Sequence, residues 1–369
     1  MRIAVLTSSR ADFGIYLPLI KKIQEDDNLR LNIIAFGTHL SAFHGKTVND
    51  IRLQGFEVSY SIESMLLTDS SESISTAIGL TTIKFASFWE INKNQFDLVF
   101  CLGDRYEMYA AVIAGIPFQI PFAHIHGGET TLGAIDNFFR HSITLASKYH
   151  FVATKHFADK VAQLTGSNTN VYHVGALSLD NLSSIQMLTI EEFNVKWGVN
   201  LSKKTILVTF HPETIALDNN QQYIDEIISA VNELTDYQIL ITMPNADTAG
   251  SLIRNALIDN FKNNRRVFLI ENLGSQSYFT AMNYCSLLLG NTSSGIIEAA
   301  SFKKYVINLG NRQKGRLAGD NVIHAPIDKE KIIKAVKFIE TKGDYLFDNI
   351  YYKEGATNQI IKIIKNFTN

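Results

Sequence analysis

Ser286-Leu287-Leu288-Leu289-Gly290-Asn291-Thr292-Ser293-Ser294-Gly295-Ile296-Ile297-Glu298-Ala299-Ala300 passes from an apolar run, through a loop of glycine and hydroxyl residues, into a second apolar segment. A run without alternation suits a strand covered on both faces, and the segment after the loop suits the helix that follows such a strand. The same order recurs along the chain. A first series of short runs rich in Val, Ile, Leu and Phe comprises Arg2 to Thr7, Leu31 to Phe36, Asp97 to Leu102, Pro121 to Ile125, His150 to Ala153 and Val171 to Val174. A second comprises Thr205 to Phe210, Gln238 to Met243, Val267 to Ile270, Ser286 to Leu289, Tyr305 to Leu309 and Val322 to Ala325. Helix-like segments between runs imply crossover connections and mostly parallel sheets, so the fold class is α/β with two doubly wound halves.

A chain of 369 residues is longer than one core usually grows, which agrees with two series and two domains. Ser178 to Lys204 is less apolar and reads as the linker, with Thr189 and Glu192 at capping-box spacing for a short helix. The expected division is residues 1–178 and 179–349, with a C-terminal helix at about 350–369 packing back on the first domain. Hydrophobic residues at 46%, charged residues at 19% and only 6 Pro describe a compact globular chain. A net charge of -2 gives no basic field for nucleic acid or an anionic membrane, so any anion must be caught locally. Cys101 and Cys285 lie in or beside apolar runs, where a thiol acts as a small buried hydrophobe and not as a disulfide or metal partner. No signal-peptide core and no apolar stretch of roughly 18 residues is present, and a reducing cytoplasm is expected.

Ligands of doubly wound sheets sit beyond the carboxyl ends of strands, so the residues after each run carry the functional reading. In the opening stretch a helix start and the hydroxyls of Thr292, Ser293 and Ser294 form an anion site that suits a diphosphate. The helix-end charge is worth about 0.3–2 kcal/mol and each hydrogen bond to a charged group about 1.5–3 kcal/mol, so several together hold a pyrophosphate. Glu298, one turn inside, can take two vicinal hydroxyls of a ribose; the plain alternative is an ordinary N-cap. After the first strand, Arg10 in Thr7-Ser8-Ser9-Arg10-Ala11-Asp12-Phe13-Gly14 suits phosphate oxygens, unless Ser8 or Ser9 caps the helix and Arg10 pairs with Asp12.

Gly103-Asp104-Arg105-Tyr106-Glu107 follows a buried run, where a partly desolvated carboxylate has the raised pKa of a general base. The alternative, Asp104 as N-cap with Glu107 at the third helical position, leaves Arg105 unexplained, and Arg105 joins the substrate-binding candidates. The densest segment is His124-Ile125-His126-Gly127-Gly128-Glu129, with Asp136, Arg140 and His141 following. Paired glycines admit close backbone approach, the two histidines are expected on one side of a strand, and Asp136 and Arg140 share a helix face. No HExxH-type spacing accompanies them, so no metal is expected. The second series adds His211 in Phe210-His211-Pro212-Glu213, Asn245 in Met243-Pro244-Asn245-Ala246-Asp247, and Arg312 with Lys314 and Arg316 after Leu309. With no G-x-G-x-x-G after the first strand, no Walker A loop and no Asp-x-Asp pair, cofactor-free, metal-free binding of a nucleotide diphosphate is the better reading.

Taken in order, Ser9-Arg10-Ala11-Asp12, Gly103-Asp104-Arg105, His124 to Glu129, Ala134-Ile135-Asp136 with Arg140-His141, His211-Pro212, Pro244 to Asp247, Gly290 to Glu298 and Ile307 to Gln313 resemble one family. It is that of the hydrolysing UDP-N-acetylglucosamine 2-epimerases of bacterial sialic-acid and legionaminic-acid type pathways, together with the epimerase half of the bifunctional animal enzyme. The resemblance covers nearly the whole chain. It implies a GT-B fold, two Rossmann-like domains facing across a cleft, with UDP held mainly by the second and the sugar by the first. Carried over, Ser293 and Ser294 bind the diphosphate, Glu298 the ribose, His211 and Arg10 the phosphates, while Asp104, Asp136 and Arg140 surround the sugar. His126 departs from the glutamate of the animal enzyme and the non-hydrolysing branch, which leaves the base open among Asp104, Asp136 and His126. The Gly-Gly-Glu ending at Glu129 favours hydrolysis.

The implied reaction is anti elimination of UDP to a 2-acetamidoglucal, then addition of water at C1 and of a proton at C2 on the opposite face. UDP-N-acetylglucosamine is the expected substrate and UDP-N,N'-diacetylbacillosamine the alternative. Rival classes are a GT-B glycosyltransferase, which would need an acceptor groove, and a nucleotide-sugar sensor, which would need no charged groups on the sugar side. Apolar helices in the first domain suggest a homodimer or homotetramer.

Overall fold

The computed structural model describes residues 1–42, 45–180, 182, 185–244, 248–343, 345–346 and 348–368. The first seven strands are β1 (Arg2–Thr7), β2 (Arg30–Phe36), β3 (Val58–Ile62), β4 (Leu98–Leu102), β5 (Phe122–Ile125), β6 (Tyr149–Val152) and β7 (Val171–His173). They form one sheet in the order β3-β2-β1-β4-β5-β6-β7, every pair parallel. The second sheet holds β8 (Thr205–Thr209), β9 (Gln238–Thr242), β10 (Val267–Ile270), β11 (Leu287–Gly290), β12 (Val306–Leu309) and β13 (Val322–Ala325) in the order β10-β9-β8-β11-β12-β13, also all parallel. Both are Rossmann-like. Residues Met1–Glu129, Asp136–Ser184 and Tyr351–Asn369 make one compact unit, and Thr130–Ile135 with Ile185–Ile350 a second.

Twelve of these strands coincide with the apolar runs of the sequence. The addition is β3, whose residues Val-Ser-Tyr-Ser-Ile are only partly covered. It lies at the sheet edge and its register on β2 shifts between Ile33 and Ile34. An edge strand with one solvated side needs no continuous apolar run, so it has no such signature.

In unit 1 the strand period of two sorts β1 onto two cores. Ile3 and Val5 join Phe13, Tyr16, Leu19, Ile20 and Ile23 of the helix Arg10–Gln24, with Ile360 and Ile364 of the last helix, Ala356–Lys365. Ala4 and Leu6 face the opposite cluster of Phe36, Phe85, Trp89, Phe122 and Ile143. Each such side chain contributes about 1.5–3 kcal/mol on burial. The last helix is anchored at its start by Asp180, whose carboxylate accepts the backbone N–H groups of Ala356 (3.1 Å) and Thr357 (2.5 Å). An acid there also meets the positive end of the helix.

Unit 2 packs the helices Asn220–Glu233, Gly250–Phe261 and Lys329–Glu340 around Ile206, Val208, Ile239, Ile241 and Leu289. The capping box read at Thr189 and Glu192 is present: Thr189 Oγ1 accepts Glu192 N–H at 3.1 Å and Glu192 Oε2 accepts Thr189 N–H at 2.8 Å. The segment 130–135 joins this unit through Leu132 N–H to Lys314 O (2.9 Å) and Ile135 N–H to Thr214 Oγ1 (3.0 Å). In each sheet the strand order reverses once beside the first strand, between β1 and β4 and between β8 and β11. Those switch points are where open α/β sheets bind ligands, and the motifs at Ser9, Asp104, His211 and Asn291 end these four strands.

Candidate active site

In unit 1 the loop after β1 is stitched internally. Ser9 caps the helix Arg10–Gln24 by accepting Asp12 N–H at 3.3 Å, and Asp12, 4% exposed, accepts Ser8 N–H at 3.0 Å and Ser8 Oγ–H at 2.6 Å. Asp12 is therefore engaged by Ser8, and Arg10 is not its partner. Arg10 instead pairs with Asp50, with both side chains more than a third exposed. A pair that wet is worth roughly 0–1 kcal/mol, so it can exchange Asp50 for a ligand anion at little cost.

After β4 the reading of Asp104 as a helix cap fails. The helix starts at Tyr106 with Arg105 at the cap position and no side-chain cap bond. Asp104 accepts from Arg140 Nη2, and Arg140 is nearly fully buried while Asp104 keeps 24% of its side chain exposed. Two further donors of Arg140, Nε and Nη1, have no hydrogen-bond partner among the described residues. Arg105 grips Glu107 with Nη2–Oε1 at 2.9 Å and Nε–Oε2 at 3.2 Å. Burial raises the carboxyl pKa of Glu107, and Arg105 works against that shift.

The two histidines of the β5 segment differ in backbone conformation and in hydrogen-bond partners. The strand ends at Ile125 and His126 adopts φ +65°, so strand alternation does not extend to it and the expected common side does not arise. His124 is wholly buried between Gly103 O (Nε2, 2.9 Å) and Thr144 Oγ1 (Nδ1, 3.1 Å), and burial lowers its pKa to about 3. His126 sets Nδ1 2.7 Å from Oε1 of Glu129, which is completely buried. Asp136 opens the helix Asp136–Ala146 and is half-buried; Arg140 stands one turn on. Positive charge gathers on this side: burial first, then Lys160 and Arg140, lower the pKa of His141 to about 4. Among the described residues no group of three His, Cys, Asp or Glu is placed to share a metal ion.

In unit 2 three strand ends converge on one residue. Asn291, fully buried, accepts His211 N–H at Oδ1 (2.7 Å) and donates from Nδ2 to His211 O (2.8 Å). Its backbone carbonyl accepts Arg312 Nη1 (3.2 Å) and Gln313 Nε2 (2.9 Å). Glu213, 2% exposed, accepts the backbone N–H groups of Asn311 and, at 3.2 Å, Arg312. His211, the Asn291 loop and Arg312 are thereby held as one body. Thr292 caps the next helix by accepting Ser294 N–H at 3.4 Å. That helix is short, Ser293–Ile297, and ends in a 3-10 turn at Ala299–Phe302, with Glu298 between them and 7% exposed. The phenol of Tyr278 lies beside Ser294 and Glu298, and burial pushes its pKa up to about 12, so it remains a donor.

Of the residues singled out in the sequence, the structure brings Asp104 to Arg140 and His126 to Glu129 in unit 1, and His211, Thr292, Ser293, Ser294, Glu298 and Arg312 to adjoining strand ends in unit 2. It assigns Arg10 and Arg105 to acidic partners, Asp50 and Glu107. Asn245 lies outside the described residues. Sequence reading passed over Asn291, Glu213 and Gln313 as site residues. Their only signal was a polar side chain at the end of a fully buried strand, and nothing local names a partner on another strand.

A sequence profile described as UDP-N-acetylglucosamine 2-epimerase matches residues 21–365. The chain is 33% identical over 364 residues to the UDP-N,N'-diacetylbacillosamine 2-epimerase (hydrolyzing) of Legionella pneumophila, covering 99% of this chain and 95% of that one. It is likewise 33% identical over 373 residues to polysialic acid biosynthesis protein P7 of Escherichia coli, covering 99% and 94%. The structure of a UDP-GlcNAc 2-epimerase from Neisseria meningitidis, bound to UDP-GlcNAc, superposes with a TM-score of 0.84 at 18% identity, covering 99% of this chain and 100% of that one. That likeness is one of fold, and the two Rossmann-like halves are of the GT-B type.

Proposed function

The chain belongs to the UDP-N-acetylglucosamine 2-epimerase family, and from that premise we propose that it is a hydrolysing 2-epimerase, releasing UDP and a C2-inverted 2-acetamido sugar from a UDP-sugar. The observation that carries this reading is the set of ionisable groups at neighbouring strand ends of unit 1, Asp104 after β4 and His126 with Glu129 after β5, followed by Asp136. Unit 2 would hold UDP: Ser293 and Ser294 with His211 at the diphosphate, Glu298 at the ribose, and Arg312 as a cation fixed by Asn291 and Glu213.

C2–H is not adjacent to a carbonyl and is weakly acidic, so departure of UDP leads and positive charge builds at C1. Donors aimed at the leaving diphosphate supply much of the rate, and because they are preorganised they need no rearrangement during the reaction. A base in unit 1 takes the C2 proton as the C1–O bond breaks and C1=C2 forms. Water then adds at C1 and an acid delivers a proton to the other face of C2. Asp104, pinned by Arg140, Asp136 and His126 are the groups from which the base and the acid of these steps are drawn. The Cys101 and Cys285 thiols are buried and free, with pKa values pushed up to about 12 by burial, which suits the reducing cytoplasm this reading assumes. Exposed Ile83 and Ile91 on the helix Ser71–Asn92, with Phe138 and Leu145 on Asp136–Ala146, are the faces through which a homo-oligomer would form.

UDP-N-acetylglucosamine is one substrate; the 33% identity to the Legionella enzyme favours UDP-N,N'-diacetylbacillosamine as a second. Incubating the protein with each UDP-sugar in D2O and following the products by NMR tests both. Free sugar inverted and deuterated at C2, with UDP, is expected from the true substrate. Inversion without deuterium would exclude elimination, and a product still linked to UDP would exclude hydrolysis.

A further inference from the structure

Within the β5 segment two imidazoles stand two residues apart, and their surroundings divide the roles between them. His124 has both ring nitrogens occupied by protein. Gly103 O can only accept, so Nε2 carries the proton, while Nδ1 lies 3.1 Å from the Thr144 hydroxyl, which also donates to Arg140 O at 3.0 Å. Fully buried and neutral, His124 has no nitrogen left for chemistry. His126 is bonded at Nδ1 alone, to Glu129, and Nε2 makes no hydrogen bond among the described residues.

His126 also sits where backbone strain is stored. A non-glycine residue at φ +65° costs on the order of 1–3 kcal/mol and persists only where the surroundings over-determine it. They do so here. His126 N–H donates to Phe151 O at 3.1 Å, a Cβ on Gly127 would lie 2.9 Å from His124 Nδ1, and a Cβ on Gly128 would lie 2.6 Å from Phe157 O. The loop is pressed against Thr144, Phe157 and Val161 of the helices behind it. Glu129, at 0% exposure, is the other end of the same turn.

On the reading of the chain as a hydrolysing 2-epimerase, we propose that Glu129 is the positioning residue of a carboxylate–imidazole dyad that leaves Nε2 of His126 as the base for the C2 proton. With Glu129 ionised its carboxylate only accepts, Nδ1 then donates, and the lone pair is left on Nε2. A charge-assisted contact of 2.7 Å holds that tautomer and stabilises the imidazolium that forms. The step balances. Nε2 takes the C2 proton, the C2–H electron pair becomes C1=C2, and UDP leaves with the electrons of the C1–O bond. Water supplies OH to C1 while a group on the opposite face protonates C2, the remaining proton of that water restores this group, and His126 returns its proton to solvent.

Two measurements decide the matter. In protein carrying 15N-histidine, the ring signals of His126, assigned by their loss in His126→Asn, should show Nδ1–H in the wild type; Nε2–H as the neutral form would overturn the dyad without any variant at position 129. In kinetics with UDP-N-acetylglucosamine and UDP-N,N'-diacetylbacillosamine, Glu129→Gln should lower kcat by a factor on the order of 100 or more. KM and UDP affinity should stay within about twofold, because the loss lies in the transition state. Glu129→Asp, which keeps the charge, should recover part of kcat. A Glu129→Gln enzyme within a few-fold of wild-type kcat, or one whose KM and kcat fail together with no recovery in Glu129→Asp, would refute the proposal. Wild-type protein inert toward both sugars would instead overturn the epimerase reading, and the tautomer spectrum would still judge the dyad.

Discussion

Asn291→Ala is the substitution whose cost can be worked most directly from the structure. The residue is completely buried and its amide satisfies both peptide groups of His211, the N–H at 2.7 Å and the C=O at 2.8 Å. Alanine removes both of these hydrogen bonds from a residue that is 5% exposed. Each unsatisfied buried group costs about 1–3 kcal/mol, so the variant should lose about 2–6 kcal/mol. For a unit of this size, where 1 kcal/mol moves the midpoint by about 2–4 °C, the unit 2 transition should fall by about 4–24 °C. UDP affinity should fall too, because the same amide sets His211 against the loop that carries Thr292, Ser293 and Ser294. Asn291→Asp keeps the acceptor for His211 N–H but places an oxygen against His211 O, and should be no better. Calorimetry with and without UDP measures both effects, with Asn260→Ala on the exposed face of its helix as control, expected within about 0.5 kcal/mol of wild type. An Asn291→Ala protein that melts within about 2 °C of wild type and binds UDP normally would refute the reasoning.

Glu298→Gln should mainly weaken UDP binding measured by calorimetry, whereas Asp104→Asn and Asp136→Asn should leave it nearly intact and cut turnover by a factor on the order of 100 or more; equal loss of UDP affinity in all three would refute the division of labour. Burial lowers the pKa of His39 to about 4, of His124 to about 3 and of His150 to about 4, against about 6.5 in the unfolded chain. The unfolded chain binds their protons first, so their contribution is complete above about pH 6.5 and is lost as pH falls, at up to about 1.4 kcal/mol per pH unit each. Glu107, raised by burial, offsets part of that loss. Denaturant midpoints for unit 1 should therefore drop from pH 7.5 to pH 5, and a flat profile would contradict burial of these rings as neutral groups. Turnover should survive EDTA, and loss restored by one divalent ion would revive a metal role for the histidine-rich segment.

Arg10 and Asp104 illustrate how far local pattern reaches. Both stand after apolar runs that become β1 and β4, and their place at carboxyl ends beside a switch point follows from strand order. Neither partner could be read from the sequence. Arg10 takes Asp50 and not the nearby Asp12, because Asp12 turns back to the Ser8 hydroxyl and N–H. Asp104 takes Arg140 from the helix after β5, because parallel pairing of β4 with β5 sets that helix beside its end. Residues β3 (Val58–Ile62) escaped notice since an edge strand needs cover on only part of its surface.

The sequence by itself determined the alternation of buried strands and helices, the two parallel sheets that this alternation requires, and the loops in which chemistry could reside. These are short-range properties, since a period of two or of 3.6 residues and a cap three residues away are written within one element. Only the tertiary structure decided that Asn291 ties His211 to Arg312 and Gln313, that Glu213 grips the loop after β12, and that Glu129 rather than a neighbouring imidazole holds His126. Hydrogen-bond partners of this kind come from different strands, or from a turn forced into a left-handed conformation. They are selected by sheet register and by the need to satisfy every buried polar group, conditions that exist only once the chain has closed upon itself.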